Sequence, residues 1–150
     1  MRTVAVIMFA AATAMSTAAK AASVDELFQQ FGLFGAWASD CGQPPSPANP
    51  HVSITMPSAG LVLEDHDLGA GFAVNRYSMM SAERLSAEQL SVETIFQPGT
   101  AGEERQKLIF RVRDKTRRTM FNQPDGGEAR VKDGITLLGG SKTPVLRKCD

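Results

Sequence analysis

Few residues in this chain have the types and spacing that chemistry needs. Histidine occurs twice, at His51 and His66, and His66 sits in the run Glu64-Asp65-His66-Asp67, the best local collection of metal-ligating types. A divalent cation needs three or four ligands converging on one point. Consecutive residues of a strand send their side chains alternately to opposite sides, so few of these four can meet on one ion. The expectation is a solvated turn and no metal site. The same alternation argues against the adjacent carboxylates Glu64-Asp65 and Glu103-Glu104 as acid and base partners. Nucleophilic chemistry lacks a Gly-x-Ser-x-Gly elbow, and Cys41 and Cys149, if paired, leave no free thiol. The sequence therefore assigns no catalytic residue and calls for no cofactor, and the expectation is a protein that is not an enzyme.

Charge is the one surface feature with a pattern. The formal charge is balanced overall. Residues 22–104 nevertheless hold two basic residues against eleven acidic ones, and residues 105–150 hold twelve against five. Such a chain either pairs its two halves across the fold or shows a basic face to an anionic partner. Arg105, Lys107, Arg111 and Arg113 share one parity on a strand and form a candidate basic surface for lipid head groups of an envelope or an acidic protein. Nucleic acid is not expected as a partner of an exported protein of balanced charge.

Export is read from the N-terminus. Arg2 precedes an apolar run, Val4 to Met15, followed by small residues, the arrangement of a cleavable signal peptide over residues 1–21. The run is too short and too interrupted for a membrane anchor. No cysteine precedes Cys41, which argues against a lipid anchor. Residues 22–150 then suit one domain in the periplasm or secreted beyond it. An oxidising compartment favours a disulfide between Cys41 and Cys149, the alternative being two free thiols. Closing so long a loop is worth about 4 to 5 kcal/mol in the chain-entropy picture.

The elements that must carry these residues are mostly short strands. Ser23 with Glu26 is a capping box, and Leu27, Phe31 and Phe34 follow at helical spacing, which predicts a helix over residues 24–31 ended by Gly32. A strand is expected from Trp37 to Cys41, then a loop carrying Pro44, Pro45, Pro47 and Pro50. Further strands are expected over 52–56, 61–64 and 72–80. Residues 81–89 suit either helical turns or a hairpin, with the hairpin favoured. Leu90, Val92 and Phe96 mark the next strand, and 106–113 the clearest one, with Leu108, Phe110 and Val112 on one face. Turns at Asp114-Lys115 and Asp133-Gly134 precede strands over 116–122 and over Ile135, Leu137 and Leu138. A last strand is expected over 144–149. Eight or nine short strands indicate an all-β fold, a small meander barrel with a short N-terminal helix, the alternative being a β-sandwich.

Gly35-Ala36-Trp37, directly after the helix and at the head of the first strand, resembles the Gly-x-Trp signature of lipocalin-like barrels. The order of helix, Gly-x-Trp strand, long first loop and meander is similar to lipocalins and to the small exported bacterial barrels of the periplasmic protease-inhibitor type. The resemblance implies a structural role for Gly35 and Trp37 at the closed end. It also implies a lid formed by the loop that carries Pro44, Pro45, Pro47 and Pro50. The functional expectation is a binding module that holds an apolar small molecule, or binds and inhibits a protein through its rim loops. The alternative is an envelope accessory protein with a filled barrel. A cavity of roughly 300 Å³ or more, lined by methionine and phenylalanine, would mark the first.

Overall fold

A computed structural model describes residues 21–149. Apart from Ala21, the expected signal peptide lies outside the described residues. Helix α1 spans Val24–Gln30. Its capping box forms in both directions: the Ser23 hydroxyl accepts from the Glu26 N–H at 3.4 Å, and the Glu26 carboxylate accepts from the Ser23 N–H at 2.8 Å. Phe31 caps the C-terminus, and Gly32 follows in the left-handed region.

Ten strands follow: β1 Gly35–Ala38, β2 His51–Ser58, β3 Leu61–Asp67, β4 Asn75–Arg84, β5 Gln89–Phe96, β6 Glu104–Arg113, β7 Thr116–Pro124, β8 Val131–Lys132, β9 Ile135–Thr136 and β10 Leu146–Cys149. β1 to β7 form an antiparallel meander in which each strand pairs with the next. β10 pairs with both β7 and β1 and closes the sheet into an eight-strand barrel, leaving β8 and β9 as an appended hairpin. Closure settles barrel against sandwich, and it satisfies the edge backbone groups that an open sheet would expose.

The hairpin reading of residues 81–89 holds: β4 runs through Arg84, and Gln89 starts β5. Asp114 and Lys115, with φ of 50° and 57°, make the tight reversal from β6 to β7. Other boundaries differ from expectation. β1 begins at Gly35, because Gly35 and Ala36 already pair with β2. β3 continues through Asp67, so the polar run Glu64 to Asp67 is strand and not a solvated turn. β4 begins at Asn75 and leaves Phe72 exposed in the preceding loop. Leu137 and Leu138 are not strand. Ile135 bridges to Lys142, and the Gly140 N–H donates to the Thr136 carbonyl, so the two leucines lie at an exposed turn.

Strand direction sorts the connections between the two ends. Helix α1 and the β2–β3, β4–β5 and β6–β7 turns share one end. The loops 39–50, 68–74, 97–103 and the long excursion 125–145 share the other. The closed end is filled by Leu27, Phe28, Leu33 and Trp37, packed on Ile54, Val62, Leu90 and Val92. The Trp37 indole N–H donates to the Leu33 carbonyl at 2.8 Å. Lys148 crosses just outside: its Nζ donates to the Gly32 carbonyl and lies 5.6 Å from the Trp37 ring centroid. A Cβ at Gly35, whose φ is 117°, would stand 3.3 Å from Lys148 Cε. Glycine at this position therefore serves both the backbone conformation and the close passage of the lysine. Past β1 the chain turns so that Cys41 bonds Cys149, tying the first strand's exit to the last strand's end.

Candidate functional site

β3 carries Glu64 and His66 on one face, and Asp65 on the other. β7 carries Arg117 inward, with 2% of its surface exposed; Glu64 is 1% exposed. Arg117 donates through both terminal nitrogens to the two Glu64 oxygens, at 2.9 and 2.8 Å. β3 and β7 lie halfway round the ring from each other, so this pair crosses the barrel interior. His66 Nε2 lies 2.6 Å from Glu64 Oε1, and the guanidinium carbon of Arg117 stacks 4.4 Å from the Phe110 ring centroid. Burial alone would push the Glu64 carboxyl up. The positive charge of Arg117 and the hydrogen bond from His66 together outweigh that and hold it at about 2.

Beyond the bridge, towards the loop-rich end, the interior opens into a cavity of about 360 Å³. One wall is aromatic. The rings of His66 and Tyr77 lie 5.1 Å apart, and those of Tyr77 and Phe96 5.0 Å apart. Burial, with the negative charge of Glu64 beside it, pushes the Tyr77 hydroxyl up to about 12, so it is neutral at ordinary pH. Val52, Leu108 and Leu146 add apolar surface, and Arg130, Val131, Thr143 and Pro144 cover the cavity from the 125–145 excursion.

Beside Phe96, which pairs with Glu104 in the sheet register, the wall continues over β6 and β7 as a chain of polar groups. Arg130 clamps Glu104 through two hydrogen bonds of 2.8 and 2.7 Å. The Gln106 amide donates to Glu104 Oε1 at 2.6 Å, and the Asn122 amide donates to Gln106 Oε1 at 2.8 Å. Asn122 Oδ1, at the end of the chain, is buried and has no partner among the described residues.

No protein-family model, no curated protein and no solved structure matches this chain.

Of the proline loop, Pro50 lines the cavity, while Pro44, Pro45 and Pro47 are not part of its lining. Asn49 fastens that loop by donating to the carbonyls of Asp40, Gln43 and Pro44. Arg105, Lys107, Arg111 and Arg113 are all exposed on the outer face of β6. Arg113 has acidic neighbours in Glu88 and Asp114, and Lys107 stands opposite Glu93 in the sheet register. The acidic and basic halves of the chain meet in the pairs Glu64–Arg117 and Glu104–Arg130. Asp65 faces outward and pairs with Arg76, so the Glu64 to Asp67 run divides between the two sides of the wall.

The expected methionine lining is absent. Met79 lies in the core at the other side of the bridge, Met56 and Met80 are exposed, and Met120 does not line the cavity. Phe96 and Phe110 do line it, but so do Glu64, His66, Gln106, Arg117 and Asn122, which the sequence reading left out. Alternation signalled part of this: Gln106 shares the parity of Leu108 and Phe110. Asn122 carried no such signal, because a register shift in β7 near Met120 resets its face.

Proposed function

We propose that this chain is an exported binding protein whose barrel holds a small molecule with an apolar body and a polar group. The observation that carries this reading is the cavity itself. At about 360 Å³ it lies within the usual range for small-molecule sites, and apolar walls with a few placed polar groups are what such sites have. A filled barrel, the competing reading, would leave no such volume. The disulfide supports export, since such bonds persist in oxidising compartments.

Native mass spectrometry of the oxidised protein, isolated from the cells that make it, tests the proposal. The expected result is a co-purified small molecule that is lost in Thr119→Phe, a variant that fills the cavity from β7. Empty wild-type protein that also takes up no small molecule from a cell extract would contradict it.

A second reading has its own support. Phe72, Val74, Leu137, Leu138 and Val145 are exposed in the loops of the open end, with Leu138 entirely so. Exposed apolar side chains on rim loops suit protein contact. Replacing Leu137 and Leu138 by serine separates the readings: it would weaken a protein complex and leave small-molecule binding intact.

A further inference from the structure

Resting on the small-molecule reading of the cavity, we infer that the ligand's polar group is an uncharged oxygen acceptor, of the ketone, ester or ether kind, and that the Tyr77 hydroxyl donates to it. The place of Tyr77 follows from the sheet register. Glu64 points inward to Arg117, and Tyr77 stands opposite Glu64 on one side and opposite Phe96 on the other, so it shares their face and lines the cavity. Its ring is held between those of His66 and Phe96, at 5.1 and 5.0 Å. No described residue accepts a hydrogen bond from its hydroxyl. Nor is that oxygen enclosed: among the described residues, Asn122 Oδ1 is the one buried side-chain atom that is both unpaired and cut off from solvent. Because Tyr77 is partly buried and faces inward, the surface its hydroxyl keeps opens into the cavity.

An O–H that gives up water when a ligand enters either meets an acceptor or loses a hydrogen bond. The side-chain acceptors around it are committed to protein donors: Glu64 to Arg117 and His66, Glu104 to Arg130 and Gln106, and Gln106 Oε1 to Asn122. The acceptor therefore comes from the ligand. Its charge follows from the arginines of the lining. Arg117 and Arg130 are balanced by Glu64 and Glu104, and Arg118, which alternates with the inward Arg117, is held by the Gly134 carbonyl and the Thr143 hydroxyl. Among the described residues, no arginine of the lining is left to balance a carboxylate set against Tyr77. Burial and the negative charge of Glu64, which push the phenol up to about 12, act in the same sense against an anion placed beside it. The chemical class is an apolar molecule bearing a neutral acceptor oxygen, and Tyr77 is its specificity residue.

The test compares 1-acetylnaphthalene, 1-ethylnaphthalene and 1-naphthoate, an apolar body with a neutral acceptor, with none and with an anion. Equilibrium dialysis on the oxidised full-length mature protein and on its Tyr77→Phe variant gives the affinities. The ratio of ketone to hydrocarbon affinity is expected to fall about threefold to tenfold in Tyr77→Phe, the contribution of one hydrogen bond, while the hydrocarbon binds both proteins alike. The carboxylate should bind wild type about tenfold or more weakly than the ketone, since it enters without a counter-charge. A ratio unchanged by Tyr77→Phe, or a carboxylate bound as tightly as the ketone, would overturn the inference while leaving the cavity reading in place. Failure of all the probes to bind would overturn both.

Discussion

Glu64 on β3 and Arg117 on β7 join hands across the barrel axis, each almost wholly buried and each from a strand halfway round the ring from the other. The pair marks a boundary. On one side the interior is packed with Trp37, Phe28, Leu33 and Ile54; on the other it opens into the cavity. A charge pair set in an apolar interior gains little net stability, but removing one partner strands the other. Arg117→Leu should therefore destabilise the protein by about 3 to 5 kcal/mol, and Glu64→Leu with Arg117→Leu by clearly less than the single change. Urea unfolding of the three proteins measures this. A double variant as unstable as Arg117→Leu would show that the pair stabilises by more than mutual neutralisation.

The same carboxylate sets an acid limit. Glu64 is held at about 2 in the folded chain against an ordinary value of 4.5. Its contribution is complete above the unfolded value and is lost as pH falls from about 4.5 towards 2, where the unfolded chain binds the proton first. Thermal unfolding midpoints recorded between pH 6 and 2 should drop through that window. The drop should be smaller in the Glu64→Leu, Arg117→Leu double variant.

Tyr77 offers a titration that needs no labelling, because it is the only tyrosine in the chain. Ultraviolet titration of phenolate formation should give a midpoint near 12 in the folded protein and near 10 once unfolded. Since the folded state holds the proton longer, stability should decline as pH rises from about 10 to 12. A midpoint near 10 in the folded protein would place the hydroxyl in water.

Reduction of Cys41–Cys149 opens a closure spanning 108 positions. The chain-entropy estimate is a loss of about 4 to 5 kcal/mol, read as a lowered unfolding midpoint in denaturant. Because the bond also ties the β1 exit to β10, hydrogen exchange in β1 and β10 should accelerate more than in β5 and β6.

Gly35→Ala tests the closed end. The substitution combines a strained left-handed φ with crowding of Lys148, and should cost about 1 to 2 kcal/mol. Adding Lys148→Ala relieves the crowding alone, so the two changes together should cost less than their separate effects summed.

Where the signal was local, the sequence carried the fold. The Ser23-Glu26 cap, the Asp114-Lys115 reversal and the alternation from Gln106 to Phe110 each depend on neighbours a few residues apart, and each appears as expected. The site depended on pairings that local pattern does not reveal. Glu64 looked like part of a solvated turn because its partner is 53 residues away. Asn122 reaches the cavity through a register shift, and the cover comes from 125–145, where Leu137 and Leu138 had suggested a strand. The barrel itself was legible because a meander of short strands has few ways to bury one face, and Cys41 and Cys149 point to where it closes.

If the interior beyond the Glu64–Arg117 bridge receives a small molecule, the groups that line it must sense the ligand. Side-chain amide resonances report on it directly: two-dimensional ¹⁵N–¹H spectra of the oxidised protein, titrated with 1-naphthol, resolve the Gln106 and Asn122 amide groups. Saturable shifts of both are expected, with the resonances of α1 and the Asp114-Lys115 turn unchanged. Shifts confined to the exposed 68–74 and 137–142 loops, with Gln106 and Asn122 unmoved, would contradict it.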